Sequence, residues 1–351
     1  MLMKPLIIGQ LRTRLPIIQG GMGVGISRSN LAGAVALEGG IGIISTAQIG
    51  YDEEEFSRNP IDANLHAIKK HLNRAKEIAK GGIVGVNIMV ATKQYAEYVK
   101  TAVEAKADVI ISGAGLPINL PELVKGSVSK IAPIVSSLKA TAIILKMWDR
   151  KYNRTADFIV IEGPLAGGHL GFHEEELVDI DMDAYEEEIK KIINFKKEYE
   201  EKYNQEIPVI VAGGIFDRED AKRALLAGAD GIQVGTRFVT TKECDAPDDY
   251  KQAYINCKKE DIRIIKSPVG MPGRAIWNPF LEKISKDRSE IKHCFRCLEH
   301  CNPAEVPYCI TKALTNAVEG KLDEGLIFCG DNAYRLEEIT TVKKVMEELT
   351  V

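Results

Sequence analysis

Eight short apolar runs recur along the chain: PIIQ (16–19), IGIIST (41–46), GIVGVNIM (82–89), ADVIISGA (107–114), IAPIVSS (131–137), ADFIVIEG (156–163), IPVIVAGG (207–214) and GIQVGTRF (231–238). Five of their seven start-to-start gaps are 24 or 25 residues; the other two hold insertions, near 51–80 and 172–206. The runs are nearly continuously apolar, as strands covered on both faces should be. Helical patterns lie between them. SRSNLAGAVALEGG carries Ser and Asn near its start and Gly after its end. DREDAKRALLAGA opens with Asp217 as N-cap, has Asp220 three residues on, and closes with Gly228. Strand–helix–strand units at this spacing are right-handed and parallel. Eight of them closing on themselves make an α/β protein of the (β/α)8 (TIM) barrel type, with its active site at the C-terminal ends of the strands. A doubly wound open sheet is the alternative.

The rhythm stops near residue 245. The barrel is expected over 1–245, and 246–351 is expected to be a helical extension over or beside its mouth, built from DDYKQAYINCKKE, NPFLEKISKDRSEIKHC, PYCITKALTNAVEGKLDEG and AYRLEEITTVKKVMEEL. The insertion 181–203 predicts a charged amphipathic helix whose acidic residues form a solvated face. His66 and His71 are expected to be exposed on the other insertion. Composition narrows the class. Apolar residues are 45%, charged residues 27%, and the net charge is -4, so no basic surface suggests nucleic acid. No apolar run is long enough to span a membrane. The opening MLMKPLIIGQLRTRLPII is interrupted by Lys4, Arg12 and Arg14 and does not read as a signal peptide. The expectation is a cytoplasmic protein acting on a small molecule, its seven cysteines serving as thiols or metal ligands.

Several strands end in glycine or a small polar residue. The first gives Gly21, Met22 and Gly23, the third Asn87, the fourth Ser112, Gly113 and Gly115. The sixth gives Glu162 and then AGGH, with Gly167, Gly168 and His169. The seventh gives Gly213 and Gly214, the eighth Gly235 and Thr236. In a barrel all of these converge on one rim. Glycine turns before the helices after strands seven and eight leave unpaired N–H groups pointing outward, the usual phosphate position of this barrel. No GxGxxG follows the first strand and no GxxxxGK[ST] occurs, so a Rossmann dinucleotide or P-loop nucleotide is not required. A phosphate there, with open backbone at strands one, four and six, suits a long flat cofactor such as FMN. Asn87 and Gln233 then stand where they could donate to its ring carbonyls.

PIIQGGMGVGIS, AGGHLG, VIVAGGI, GIQVGTRF and SPVGMPGRAI together resemble the nitronate monooxygenase family, formerly called 2-nitropropane dioxygenases, across roughly residues 8 to 285. PYCITKAL and GLIFCGDNAY look like a clostridial-type branch of that group. FMN-dependent enoyl-acyl-carrier-protein reductases carry nearly the same motifs. The resemblance implies a barrel with non-covalent FMN. Gly21, Met22 and Gly23 would pack against the flavin, with Asn87 and Ser112 to Gly115 lining it. Gly167 and Gly168 would let the chain pass close, and Gly213, Gly214, Gly235 and Thr236 would hold the phosphate. His169 matches the family's active-site histidine. The implied reaction is oxidation of alkyl nitronates by dioxygen to a carbonyl compound and nitrite. The alternative is an NAD(P)H-dependent flavin reductase acting on an enoyl thioester or a quinone. A homodimer is the family-level expectation.

HCFRCLEHCNPAEVPYC places Cys294, Cys297, Cys301 and Cys309 at C-x2-C-x3-C-x7-C. Thiolates at such spacing can hold zinc or an iron–sulfur cluster, with His293 or His300 as substitutes. The structural alternative is a set of small apolar side chains between helices. Cys244, Cys257 and Cys329 stand apart and read as structural. His173 is close enough to His169 to support it.

Overall fold

The computed structural model describes residues 3–350. Eight parallel strands close into a barrel: β1 (Ile17–Gln19), β2 (Ile41–Ser45), β3 (Ile83–Met89), β4 (Val109–Gly113), β5 (Lys130–Val135), β6 (Ile159–Glu162), β7 (Val209–Ala212) and β8 (Gly231–Val234). Each pairs with its neighbours in sequence, and β8 returns to β1 with Ile232 opposite Ile17. That last pairing excludes the open sheet. All eight apolar runs contain a barrel strand.

The two-residue period of a strand sorts the side chains. Val84, Val86, Ile110, Ile159, Ile161, Ile232 and Val234 face the helices, within the large outer core. Ile18, Ile43, Val109, Ile111, Val160 and Ile210 face inward. A hairpin, Ile7–Ile8 with Leu11–Arg12, contributes Leu6 and Ile8 to that inner core, so apolar side chains fill the barrel below the site. Three Ala-Asp pairs repeat one further device. Asp108, Asp157 and Asp230 precede β4, β6 and β8, and their carboxylates accept from the backbone N–H of Val84, Ile131 and Val209 at 2.8–2.9 Å. Each pins the start of one strand to the start of the next.

Helix Arg218–Leu226 starts at Asp217, whose side chain accepts from Glu219 and Asp220 N–H as expected. Helix Met182–Tyr203 matches the predicted insertion closely. Helix Ser29–Leu37 has no local cap. Asp245, over two hundred residues away, accepts from the N–H groups of Arg28, Asn30 and Leu31 instead. The first insertion forms helix Pro60–Ala79. His66 is exposed there, but His71 is buried and meets the Ser29 hydroxyl at 3.1 Å; its position on the apolar face of the helix overrides the charged context.

The extension is only partly helical. Helices Asp248–Asn256, Pro279–Lys286, Ile310–Val318 and Val342–Thr350 form where expected, although the second ends at Lys286 and the chain to Cys309 is irregular. Two strands form that the helical expectation missed, β9 (Ile262–Lys266) and β10 (Pro272–Ile276). They make an antiparallel hairpin, and Gly168–His169 joins it as a third strand, with Gly273 opposite His169. IRIIK is rich in β-branched residues and PVGMPG supplies the turn, so the hairpin follows local chemistry. Among the described residues no helix is long and apolar enough to cross a membrane.

Candidate functional site

A cavity of about 240 Å³ opens at the C-terminal ends of the barrel strands. Gly21, Met22, Gly23, Asn87, Gly113, Glu162, Gly167, Gly168, His169, Gly213, Gly214, Gln233, Gly235 and Thr236 all line it. Ser112 and Gly115 do not. Ser112 points outward from β4, and its oxygen accepts from the Tyr95 hydroxyl at 2.9 Å. Strand parity sets this: Val109, Ile111 and Gly113 face inward, so Ser112 faces the helices. Gly115 has φ 122° and a Cβ there would lie 3.2 Å from the Val90 side chain, so it serves the turn.

The glycine pair of AGGH divides its duties. A Cβ on Gly167 would lie 2.5–2.7 Å from the backbone of Cys329 and Gly330, so its bareness admits the C-terminal segment rather than a ligand. Gly168 has φ 75°, and a Cβ there would meet nothing within 4 Å. It supplies a left-handed bend beside open space. Gly213 (φ 96°) and Gly214 (φ 76°) make the turn after β7. The backbone N–H groups of Gly214, Gly235 and Thr236 have no acceptor among the described residues. With helix Arg218–Leu226 and the short turn Thr236–Val239 starting there, these donors suit an anion.

His169 keeps one edge toward the cavity while packing surrounds the rest of the ring. Nε2 lies 2.7 Å from Ser267 Oγ, and the Phe328 ring meets the imidazole edge-on at 4.9 Å. Ser267 Oγ also accepts from Val269 N–H at 3.3 Å. The imidazole and the hydroxyl share one hydrogen bond between Nε2 and Oγ. Burial lowers the pKa of His169 to about 4, so it is neutral at pH 7. The neutral ring is a poor base there and serves as a fixed hydrogen-bonding group. His173 is exposed; its N–H donates to the Glu176 carboxylate at 2.6 Å, and it does not support His169.

Asn87 and Gln233 face inward from β3 and β8. Gln233 Oε1 is buried with no partner, and the Asn87 amide makes no hydrogen bond among the described residues. Orphaned amides on a cavity wall fit a ligand that carries both donors and acceptors, as a flavin ring does. Glu162 ends β6 on the same wall, where burial raises its carboxyl to about 7. The neighbouring Tyr185 hydroxyl is buried and unpartnered.

The C-terminal extension, expected over or beside the mouth, builds part of the cavity wall. Tyr254, Leu314 and the run Phe328–Asn332 line the cavity. Gly330 N–H donates to Thr236 Oγ1 at 3.0 Å, and Asn332 Nδ2 donates to Gly214 O at 2.8 Å. Arg274 of β10, 3% exposed, donates through Nη1 to the carbonyls of Pro164 and Ala166 and faces Asp331 at 3.5 Å. Ser267 and Arg274 both lie in SPVGMPGRAI, and the glycine-centred FCGDN run was the available signal for the rest. Cys329 lines the cavity with its thiol held neutral by burial. Cys244 and Cys257 are buried in the extension's core. Among the described residues no group of three or more His, Cys, Asp or Glu side chains is poised to hold a metal ion; Cys294 is exposed, and Cys297, Cys301 and Cys309 are half-buried.

A closed parallel barrel with a glycine-lined, anion-ready rim and a single recessed histidine defines a cofactor-dependent barrel enzyme. The family model for nitronate monooxygenase matches residues 4–351, so the chain belongs to that family of flavin-dependent oxidoreductases. A probable nitronate monooxygenase of Staphylococcus saprophyticus is 24% identical over 304 residues, 81% of this chain and 82% of its own. FabK from Thermotoga maritima superimposes with TM-score 0.72 at 26% identity, covering 96% of this chain and 92% of that one. A nitroalkane oxidase from Streptomyces ansochromogenes, at 19% identity, TM-score 0.68 and coverage of 96% and 95%, shares the fold.

Two outcomes follow from the geometry. Gly167→Ala should displace the Cys329–Gly330 backbone and weaken flavin retention strongly. Gly168→Ala should cost only about 1 kcal/mol in backbone strain. Thermal melts and flavin release of the two variants check this. The depressed pKa of His169 also has a sign. Between pH 6.5 and about 4 the unfolded chain binds a proton there that the folded chain does not, so this contribution to stability is lost as pH falls through that window. Denaturant titrations from pH 7 to 4 should show wild type losing more stability than His169→Gln; His71, similarly depressed, is common to both and cancels.

Proposed function

We propose that this protein is an FMN-dependent nitronate monooxygenase that oxidises alkyl nitronates with dioxygen to a carbonyl compound and nitrite. The observation that carries this reading is the neutral His169, fixed by Ser267 at the cavity's edge. A nitronate arrives already deprotonated, so it needs a hydrogen-bond donor and not a base. A neutral imidazole carries one N–H donor, and its cost of reorganisation is small because Ser267 and Phe328 hold the ring. A neutral nitroalkane would need its carbon-bound proton removed, and a base with a pKa of about 4 does this poorly.

FMN supplies the electron transfer when bound. Toward it, the N–H groups of Gly214, Gly235 and Thr236 would hold the phosphate, with Gly213 shaping the turn. Asn87 and Gln233 would meet the polar edge of the ring, and Gly21, Met22 and Gly23 would pack beneath it. Phe328 packs against the His169 ring, and Leu314 lines the cavity with it.

A second reading is supported by the likeness to FabK over nearly the whole chain. It is an NAD(P)H-dependent reductase of an enoyl thioester or quinone, in which His169 would donate to the acceptor's carbonyl. Anaerobic mixing of the purified flavoprotein with an alkyl nitronate, NADH or NADPH separates the two. Loss of flavin absorbance with the nitronate, and nitrite on admitting oxygen, is expected. Bleaching by NAD(P)H with none by nitronate would overturn the monooxygenase in favour of the reductase.

A further inference from the structure

The extension brings two kinds of side chain to the cavity. Gly330, Asp331 and Asn332 belong to the rim after β7 and β8, where Gly330 N–H donates to Thr236 and Asn332 Nδ2 to Gly214. Leu314 and Phe328, both half-buried, line the cavity with apolar surface, and Phe328 does so against the His169 ring. The polar side chains around them are already engaged. The Tyr254 hydroxyl donates to Phe328 O, Asp331 faces Arg274 Nε at 3.5 Å, and Ser267 Oγ is bonded to His169 Nε2. A ligand bonded to His169 therefore meets apolar surface next.

Phe328 is held firmly. Ile276 N–H donates to Ile327 O at 2.9 Å and Cys329 N–H to Arg274 O at 3.1 Å, so the backbone on both sides of it is tied to β10. Gly273 of the same strand stands against the ring. A Cβ there would lie 2.8 Å from Phe328 Cε1. Gly273 does not have a left-handed φ, so space for the ring, not backbone freedom, explains glycine at this position. Behind, the ring packs on the cluster that holds Ala275, Phe280, Tyr308 and Leu326. Its open side is the cavity.

We propose that Phe328 sets the length of the substrate's carbon chain, as a fixed wall beside His169 that admits short unsubstituted alkyl chains and stops longer ones. This role rests on the proposed reading of His169 as the group that receives the anionic head. A head bonded there starts its chain next to Phe328, whose ring centre is 4.9 Å from that of the imidazole. A tied backbone and a close-packed rear leave the ring nowhere to retreat. Each methylene buried on this surface tightens binding about fourfold, until the chain meets the ring. A hydroxyl or charge on the tail loses its water and finds no free partner.

The FMN-loaded full chain is titrated with straight-chain carboxylates from acetate to octanoate, read by the change in flavin absorbance. A carboxylate shares with a nitronate a planar head whose charge is spread over two oxygens, and it does not react. Affinity should rise about fourfold per carbon and then level or fall at a break. In Phe328→Ala the break should move to longer chains. In Gly273→Ala, whose Cβ drives the ring toward the cavity, it should move to shorter ones. Phe328→Leu takes the place of Phe328→Ala if the latter does not retain flavin. A Phe328 that only steadies His169 predicts otherwise: every acid weakened by one factor and the break unmoved. That result would overturn the proposal, as would an unbroken rise to octanoate in wild type or no binding of any acid. Succinate should bind at least about tenfold more weakly than butyrate, and equal binding would contradict the apolar pocket. No turnover is read, so a failure of nitronate oxidation leaves the break measurable and the two failures distinguishable.

Discussion

One buried guanidinium joins the parts on which the site depends. Arg274 comes from the extension, yet it holds the carbonyls of Pro164 and Ala166, the residues that lead into Gly167, Gly168 and His169. Its other side faces Asp331 in the segment that covers the rim after β7 and β8. A buried charge is tolerable only when every donor finds a partner, and here the partners lie on two different stretches of the cavity wall. The histidine strand pairs with Arg274's own strand, so ring position, loop and lid are set together.

This arrangement explains why the histidine is neutral. Packing by Phe328 and the short strand removes water from the ring, and that burial holds it neutral. On the proposed reading the site orients and donates, and a redox cofactor carries the hard chemistry. On the opposite side the free N–H groups after β7 and β8 give an anion a place. Glu162, beside the orphaned Tyr185 hydroxyl, adds a carboxyl that burial holds largely protonated just below neutrality.

The barrel was legible because its evidence is periodic: eight apolar runs, near-constant spacing and turn residues at matching offsets. Most of the rim followed from the same periodicity, since a strand's last inward residue must face the mouth. Ser112 was misplaced by counting strand ends without counting parity, although Ile110 and Ile111 fix the parity. Gly167 was assigned to a ligand because sequence does not reveal which backbone passes nearby; the neighbour is the chain itself, over 160 residues on. Ser267, Arg274 and Phe328–Asn332 were not singled out for the same reason. Their roles arise from long-range pairing of β10 with Gly168–His169, and a two-residue strand leaves no pattern of its own. Asp245 capping a distant helix is another case of a contact that local rules cannot supply.

Arg274 ties the extension to the segment before His169 and so should set the affinity of the proposed flavin cavity. The most direct measurement is the FMN dissociation constant of the flavin-stripped full chain, read by quenching of flavin fluorescence, for wild type and Arg274→Gln. One saturable site is expected, weakened at least about tenfold in the variant, or about 1.4 kcal/mol, with the barrel's circular dichroism unchanged. Equal affinity in the two proteins, or no FMN binding by wild type, would contradict it.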